Sequence, residues 1–404
     1  MSTAASEAAS LESRVRAATR IDRLVDTARE LIAIPSPTGD AGRVASRLAE
    51  LLAADGFAVE RHDGSHARAP AVVTRIDSGA PGPTLQFDGH IDTVHLPFVP
   101  PRIDDDRLLR GSGASDMKAG VAAAVEALRV LRELGLPRRG AVLFVAHDLH
   151  EAPWGHGEQL DALIRAGVVG DAVLIPEPLS SLLPVAGRGA AVWRATITRP
   201  GDPVHEVMRD PASPHVIAAA SELMLAIEEL DARLARHVHP IAGAESVFVG
   251  QMHGGEIYNQ LPSRATLEGT RRWLPGAAAS ADGASAAESE LRALCAGVAA
   301  KRGVAIDLSY RRIRGAFSLD EDTTLVRAFD AAFRTLSGRV LARGPKPFVD
   351  DGNSFSALAG IPAITHGPRA GGQHSVDEWV DIDDLGRVAM LYAVCAALFT
   401  DSAS

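Results

Sequence analysis

The chain has 404 residues, 46% of them hydrophobic and 23% charged, which is the composition of a folded globular protein too long for one compact core and suited to two domains. A net charge of −10 argues against nucleic acid and anionic membrane as partners, because such a surface repels phosphate. The absence of an apolar run of about 18 residues and of a signal-type N-terminus excludes a membrane span and secretion, leaving a cytoplasmic expectation.

Along the chain, Val15, Ala18, Ile21, Leu24, Val25, Ala28, Leu31 and Ile32 recur at helical spacing and predict one helix over Leu11–Ile34. Pro35-Ser36-Pro37-Thr38-Gly39 stops it. A second amphipathic helix is expected over Arg43–Asp55, with Gly56 at its C-cap. Strands at Ala71–Ile76 and Thr84–Phe87, a long helix over Met117–Leu134, and strands at Ala141–Ala146 and Ala172–Ile175 follow. Strands alternating with helices imply a three-layer, mostly parallel α/β sheet. Beyond Gly187 the pattern changes to a strand at Ala190–Thr198, a helix at His215–Leu230, strands at Ser246–Gly250 and Ala265–Arg272, a helix at Ala286–Arg302 and a strand at Val304–Tyr310. That β-α-β-β-α-β order is the ferredoxin-like α+β unit, read as a domain over residues 189–311 inserted between residues 1–188 and 312–404 of the first. The α/β pattern resumes with a helix at Thr323–Leu336, a strand at Ile364–Thr365 and a final helix at Ile382–Phe399. Pro275–Ala287, rich in Ala, Ser and Gly, reads as a flexible surface loop.

Five segments concentrate His, Asp and Glu at strand ends, where an α/β sheet presents ligands. Asp88-Gly89-His90-Ile91-Asp92 follows a strand; alternation there sets Asp92 to orient the His90 imidazole while its other nitrogen ligates a metal. In Gly111-Ser112-Gly113-Ala114-Ser115-Asp116-Met117-Lys118, Asp116 either caps the long helix or bridges two cations with its two oxygens. His147-Asp148-Leu149-His150-Glu151 packs two imidazoles and two acids after a strand, Pro176-Glu177-Pro178 fixes a carboxylate between prolines, and His374 lies before Asp377-Glu378. Any one alone reads as an exposed polar loop, and for His90-Ile91-Asp92 alone that reading is favoured; together they point to a metal centre. Cys295 and Cys395 stand apart from these segments and read as buried thiols of a reducing compartment.

In the order and spacing of these segments the chain resembles the M20 metallopeptidases, which include acetylornithine and succinyl-diaminopimelate deacylases, aminoacylases, carboxypeptidase G2-type enzymes and cytosolic dipeptidases. The resemblance runs from Leu24 to the C-terminal helix. It implies a two-metal hydrolase cleaving an amide C–N bond of a small N-acyl amino acid, dipeptide or related compound with a metal-bridging water. It implies His90 and Glu177 on one cation, Asp116 as the bridge, and His374 with Glu151 on the other. The cations are zinc in most of the family, manganese or cobalt in some, and His and carboxylate ligands suit these. It also implies a homodimer formed through the inserted domain.

Family members carry two adjacent glutamates, a general base and then a ligand, 34 and 35 positions after the bridge. Here those positions are His150 and Glu151. Three readings stay open: His150 is the base, a one-residue shift makes Glu151 the base, or the activity is altered or lost. In the inserted domain, His205 matches a histidine that stabilises the oxyanion in a neighbouring subunit's site, and Asn259 and Arg272 match substrate-binding residues. Arg369 is a further candidate for an anionic substrate group. Two rival functions accompany this reading: release of an amine from a non-peptide small molecule by the same dinuclear site, and a metal-binding protein without catalysis.

Overall fold

The N-terminal apolar stripe forms two helices and not one: α1 (Thr3–Ala18) and α2 (Ile21–Ile32). Arg20 between them is extended, and its backbone N–H donates to Oε1 of Glu126 at 2.9 Å. Arg23 grips the same buried carboxylate with two hydrogen bonds of 2.8 Å. A buried acid that needs donors interrupts a helix that periodicity alone continues. The computed structural model describes residues 3–276 and 283–402.

After α2 come α3 (Gly42–Ala54), β1 (Val59–His62), β2 (Ala71–Asp77), β3 (Thr84–His90), α4 (Lys118–Glu133), β4 (Ala141–His147), α5 (Glu158–Arg165) and β5 (Ala172–Ile175). The chain then enters β6 (Gly189–Thr198), α6 (Val216–Leu234), β7 (Ser246–Gly254), β8 (Arg264–Trp273), α7 (Ala284–Arg302) and β9 (Ala305–Arg314). It returns through α8 (Thr324–Ser337), β10 (Ala363–Thr365) and α9 (Ile382–Thr400). Two units result: Met1–Val185 with Leu319–Gly344 and Asp350–Ser404, and Ala186–Ser318 with Pro345–Val349.

The first unit carries a six-stranded sheet in the order β1-β2-β4-β3-β5-β10. β4, β3, β5 and β10 run parallel, while β2 is antiparallel to both of its neighbours. All seven positions of β3 and all seven of β4 are buried, as strands covered on both faces must be. α4 is buried without a break from Lys118 to Leu131. It is rich in Ala and packs against α2, α9 and β3. The parallel register sets His90 beside His147 at the C-terminal ends of β3 and β4, so two of the polar segments leave the sheet side by side.

The second unit is an antiparallel sheet in the order β7-β8-β6-β9, with α6 and α7 packed on one face: the ferredoxin-like arrangement. Trp193, Ala195 and Ile197 alternate into its core with Leu223, Leu267 and Leu291. Of the loop expected over Pro275–Ala287, residues 277–282 lie outside the described residues. Ala284 and Ala287 instead belong to α7, where they are buried against Ala191 and Trp273, and that apolar contact outweighs the loop-like composition.

Candidate metal centre

β3 ends at His90, whose ring is fully buried. Its Nδ1 lies 3.1 Å from the Asp92 backbone oxygen and 3.5 Å from the Asp92 carboxylate. That fixes the tautomer and leaves Nε2 facing Asp116 Oδ1 at 3.0 Å and Glu177 Oε1 at 3.4 Å. Burial opposes ionisation of Asp92, but His90 beside it holds its carboxyl down at about 2.

Asp116 precedes α4 without capping it, so its carboxylate is available to the centre. Oδ1 faces His90, and Oδ2 lies 3.4 Å from Nε2 of His374. The same His374 nitrogen is 3.1 Å from Glu151 Oε2. The backbone N–H groups of Ser115 and Asp116 donate to Oε2 of Glu378, each at 3.1 Å, which fixes the loop that carries Asp116. Gly120 allows the next contact. A Cβ there would stand 2.2 Å from the Pro176 carbonyl oxygen, so only glycine lets α4 lie under the turn that holds Glu177. His374 sits in left-handed backbone with φ 57°, and its ring is 57% exposed. His90, Asp116, Glu151, Glu177 and His374 are thus brought together.

The electrostatics are those of a carboxylate cluster short of positive charge. Glu177 is pushed up to about 8 by burial and by the neighbouring Asp116, and Glu151 is raised for the same two reasons. Burial also disfavours the Asp116 anion, but hydrogen bonds from His374 and His90 outweigh it and hold the group well below the ordinary carboxylate range. His374 is pushed up to about 10 by Asp116 and Glu151. Buried acids that keep protons and imidazolium partners at one point are a donor set that divalent cations fit. The nitrogen and oxygen donors, with no sulfur among them, suit zinc or manganese.

His150 and Glu151 occupy different parts of the cluster. Donor atoms of His90, Asp116 and Glu151 all lie within 4.8 Å of one another, as do those of His90, His150 and Glu177. Asp148 is turned away: its carboxylate accepts the backbone N–H groups of Gly39 and Ala41. A second buried group, Asp88, His147 and Asp351, lies behind the first, with His147 Nε2 at 3.3 Å from Asp88 and 3.2 Å from Asp351. Sequence reasoning passed over it. The available signal was Asp88 two residues before His90, on the same face of β3.

The remaining predicted residues have surroundings of their own. In the second unit, Nε2 of His205 is 2.9 Å from the Asn259 side-chain amide, so these two are neighbours. Arg272 is half-buried with Arg188 as its charged neighbour, and burial followed by that like charge lowers its pKa. The adjacent Arg271 is the structural one, fully buried against Glu245 and Glu290. Arg369 is mostly exposed, ion-paired with Asp381 and set over the Trp379 ring.

The model of the family described as peptidase family M20/M25/M40 matches residues 87–397. A succinyl-diaminopimelate desuccinylase of Methylobacterium sp. (strain 4-46) is 29% identical over 388 residues, covering 90% of this chain and 93% of that one. Among solved structures, a tripeptidase from Staphylococcus aureus superposes with a TM-score of 0.78 at 20% identity, covering 95% of this chain and 100% of that one. The Bacillus subtilis YXEP protein, described as a dinuclear metal binding peptidase from the M20 family, superposes with a TM-score of 0.67 at 17% identity, covering 94% and 98%.

Proposed function

The chain belongs to peptidase family M20/M25/M40, and on that premise we propose that it hydrolyses an amide C–N bond in a small N-acyl amino acid, dipeptide or related compound with two divalent cations. The observation that carries the reading is Asp116, with one oxygen directed at His90 and the other at His374. In this reading His90 and Glu177 hold one cation, Glu151 and His374 hold the other, and Asp116 spans both. Zinc is the first candidate, with manganese or cobalt as substitutes. When bound, the cations supply Lewis acidity and an activated water to the scissile carbonyl.

Asp92, Glu378 and the Pro176–Pro178 turn keep four of the five proposed ligands, His90, Glu151, Asp116 and Glu177, in place, so little reorganisation of these accompanies the chemistry. For the second unit, the paired positive charge of Arg272 and Arg188 supports binding of a substrate carboxylate, as the acyl group of a succinylated amino acid presents. His205 and Asn259 are proposed as carbonyl-facing groups, and Arg369 as a further anion contact. Val192 and Phe248 are exposed on the sheet face away from α6 and α7, which supports a homodimer through this unit. No helix among the described residues is long and apolar enough to cross a membrane.

The test strips the protein with a chelator, reloads it with zinc, manganese or cobalt, and assays N-acetyl and N-succinyl amino acids and dipeptides for amine release. Loss of turnover on chelation, recovery with one of the cations, and preference for a carboxylate-bearing acyl group are expected. His150, standing where the resemblance expects a glutamate, favours one second reading, amine release from a non-peptide small molecule. A fully loaded protein that leaves the whole amide panel intact but releases ammonia from such a compound decides for it.

A further inference from the structure

His150 occupies the position where the resemblance expects a proton-carrying glutamate, yet its surroundings are those of a metal ligand. Its ring stacks on that of His90, with centroids 3.9 Å apart and planes 10° from parallel. Both rings turn Nε2 towards the same oxygen, Oε1 of Glu177, at 3.4 Å from His90 and 3.8 Å from His150. Donors that share a cation at ~2.0–2.2 Å stand at most about 4.4 Å apart, and both pairs meet that limit.

The far side of each ring agrees. Nδ1 of His90 is turned to oxygen atoms of Asp92, and Nδ1 of His150 is 2.9 Å from Oδ1 of Asp351. A buried carboxylate that accepts Nδ1–H leaves Nε2 unprotonated and aimed, which is how metal-bound histidines are held. Asp351 is itself fixed from behind by His147, which Asp88 braces. The whole chain of contacts ends at the His150 ring.

We propose that His150 ligates, through Nε2, the cation held by His90 and Glu177, and that Asp351 is the positioning residue that fixes its tautomer. The proposal rests on the two-cation reading and deepens it: the centre then uses three imidazoles and three carboxylates. It carries one negative charge fewer than a centre with adjacent glutamates, which leaves the cation pair more electrophilic. A lone pair given to a cation is not available to a proton, so replacing His150 acts first on metal affinity.

The experiment titrates metal-free, full-length protein with zinc against a competing chelator, counts bound zinc by elemental analysis, and counts imidazoles by X-ray absorption at the zinc edge. The wild-type chain is expected to bind two zinc ions with three imidazoles across the pair. His150→Gln is expected to bind one of them at least ~10–100-fold more weakly, with the imidazole count reduced to two; Asp351→Asn is expected to weaken the same ion by ~10-fold. Equal melting temperatures of the metal-free proteins show that the fold persists. The wild-type count needs no variant, so it decides even where a substitution prevents folding. Two imidazoles in a wild type holding two zinc ions, or a folded His150→Gln protein binding both with unchanged affinity, overturns the proposal and leaves the two-cation reading standing. A wild type that binds no zinc, manganese or cobalt overturns that reading and the proposal with it.

Discussion

Asp92 and Glu151 are joined through the backbone: Oδ2 of Asp92 accepts the N–H of Glu151 at 3.1 Å, and that of His150 at the same distance. One buried carboxylate therefore fixes the loop after β4 while its other contacts orient His90. Asp92→Asn keeps the volume but replaces one acceptor oxygen with a donor facing groups that already donate. A zinc affinity ~10–100-fold below wild type is expected, with kcat falling alongside and KM little changed. Asp92→Ala also leaves the two buried N–H groups without an acceptor, each at about 1–3 kcal/mol, so the metal-free variant is expected to melt lower. Chelator-competed zinc titration and calorimetry check both. Wild-type zinc affinity in Asp92→Asn would remove the positioning role.

Gly120 and Gly297 make an opposed pair. A methyl on Gly120 meets the Pro176 carbonyl oxygen at 2.2 Å, whereas one on Gly297, in the middle of α7, has nothing within 4 Å. Gly120→Ala is expected to destabilise by ~1–3 kcal/mol or more, and to weaken zinc binding by displacing the turn that holds Glu177. Gly297→Ala is expected to stabilise by about 0.5–1 kcal/mol, because glycine is a poor helix former. Urea unfolding of both variants reads the two signs; equal effects would mean that the close approach of α4 to Pro176 is not a constraint.

The candidate ligand segments are legible in the sequence because each is local. A strand ends, a short polar run follows, and the parallel register of β3 and β4 brings the runs together without further instruction. The ferredoxin-like unit is legible for a similar reason, since β6 alternates buried and more open residues from Ala191 to Thr198. Asp351 is not legible. Its partners His147 and His150 are distant in sequence, and the run Asp350-Asp351-Gly352-Asn353 does not say which of its two carboxylates turns towards them. Asp350 caps the run, accepting the Gly352 N–H at 2.7 Å, and this turns its neighbour towards the histidines. The break between α1 and α2 is hidden for the same reason, because Glu126, which causes it, belongs to α4. β1, with the sequence Val-Glu-Arg-His, has no apolar alternation to announce it and forms at the sheet edge through pairing with β2.

Of the five proposed ligands, His374 has the most exposed side chain. His374→Ala takes the imidazolium partner from Asp116 and Glu151, so the metal-free protein is expected to be less stable than wild type. Bound zinc is expected to fall from two ions per chain to one. Turnover is expected to drop at least ~100-fold, since a lost Lewis acid removes several kcal/mol of transition-state stabilisation. Elemental analysis and steady-state kinetics on the same preparation check this. Two ions retained at wild-type affinity would take His374 out of the ligand set.

His366 lies apart from the ligands and gives the fold a pH dependence of its own. Its ring is fully buried, with the edges of Phe329 and Phe333 at 5.2 and 5.7 Å between centroids, and Nη1 of Arg387 is 3.3 Å from its Nε2. Burial first, and then the Arg387 charge, pushes its pKa down to about 3. An unfolded imidazole titrates near 6.5. Above that pH the ring is neutral in both states and stability is unaffected. Below it, the unfolded chain takes up a proton that the folded protein refuses, so stability is lost as pH falls from about 6.5 towards about 3, at up to about 1.4 kcal/mol per pH unit. His366→Gln retains an acceptor for Arg387 and has no proton to gain. The stability lost between about pH 7 and about pH 5 is therefore expected to be ~2 kcal/mol smaller in the variant than in the wild type. Urea unfolding of the metal-free proteins at the two pH values measures that difference; equal losses would show that the His366 imidazole is protonated as readily in the folded chain as in the unfolded one.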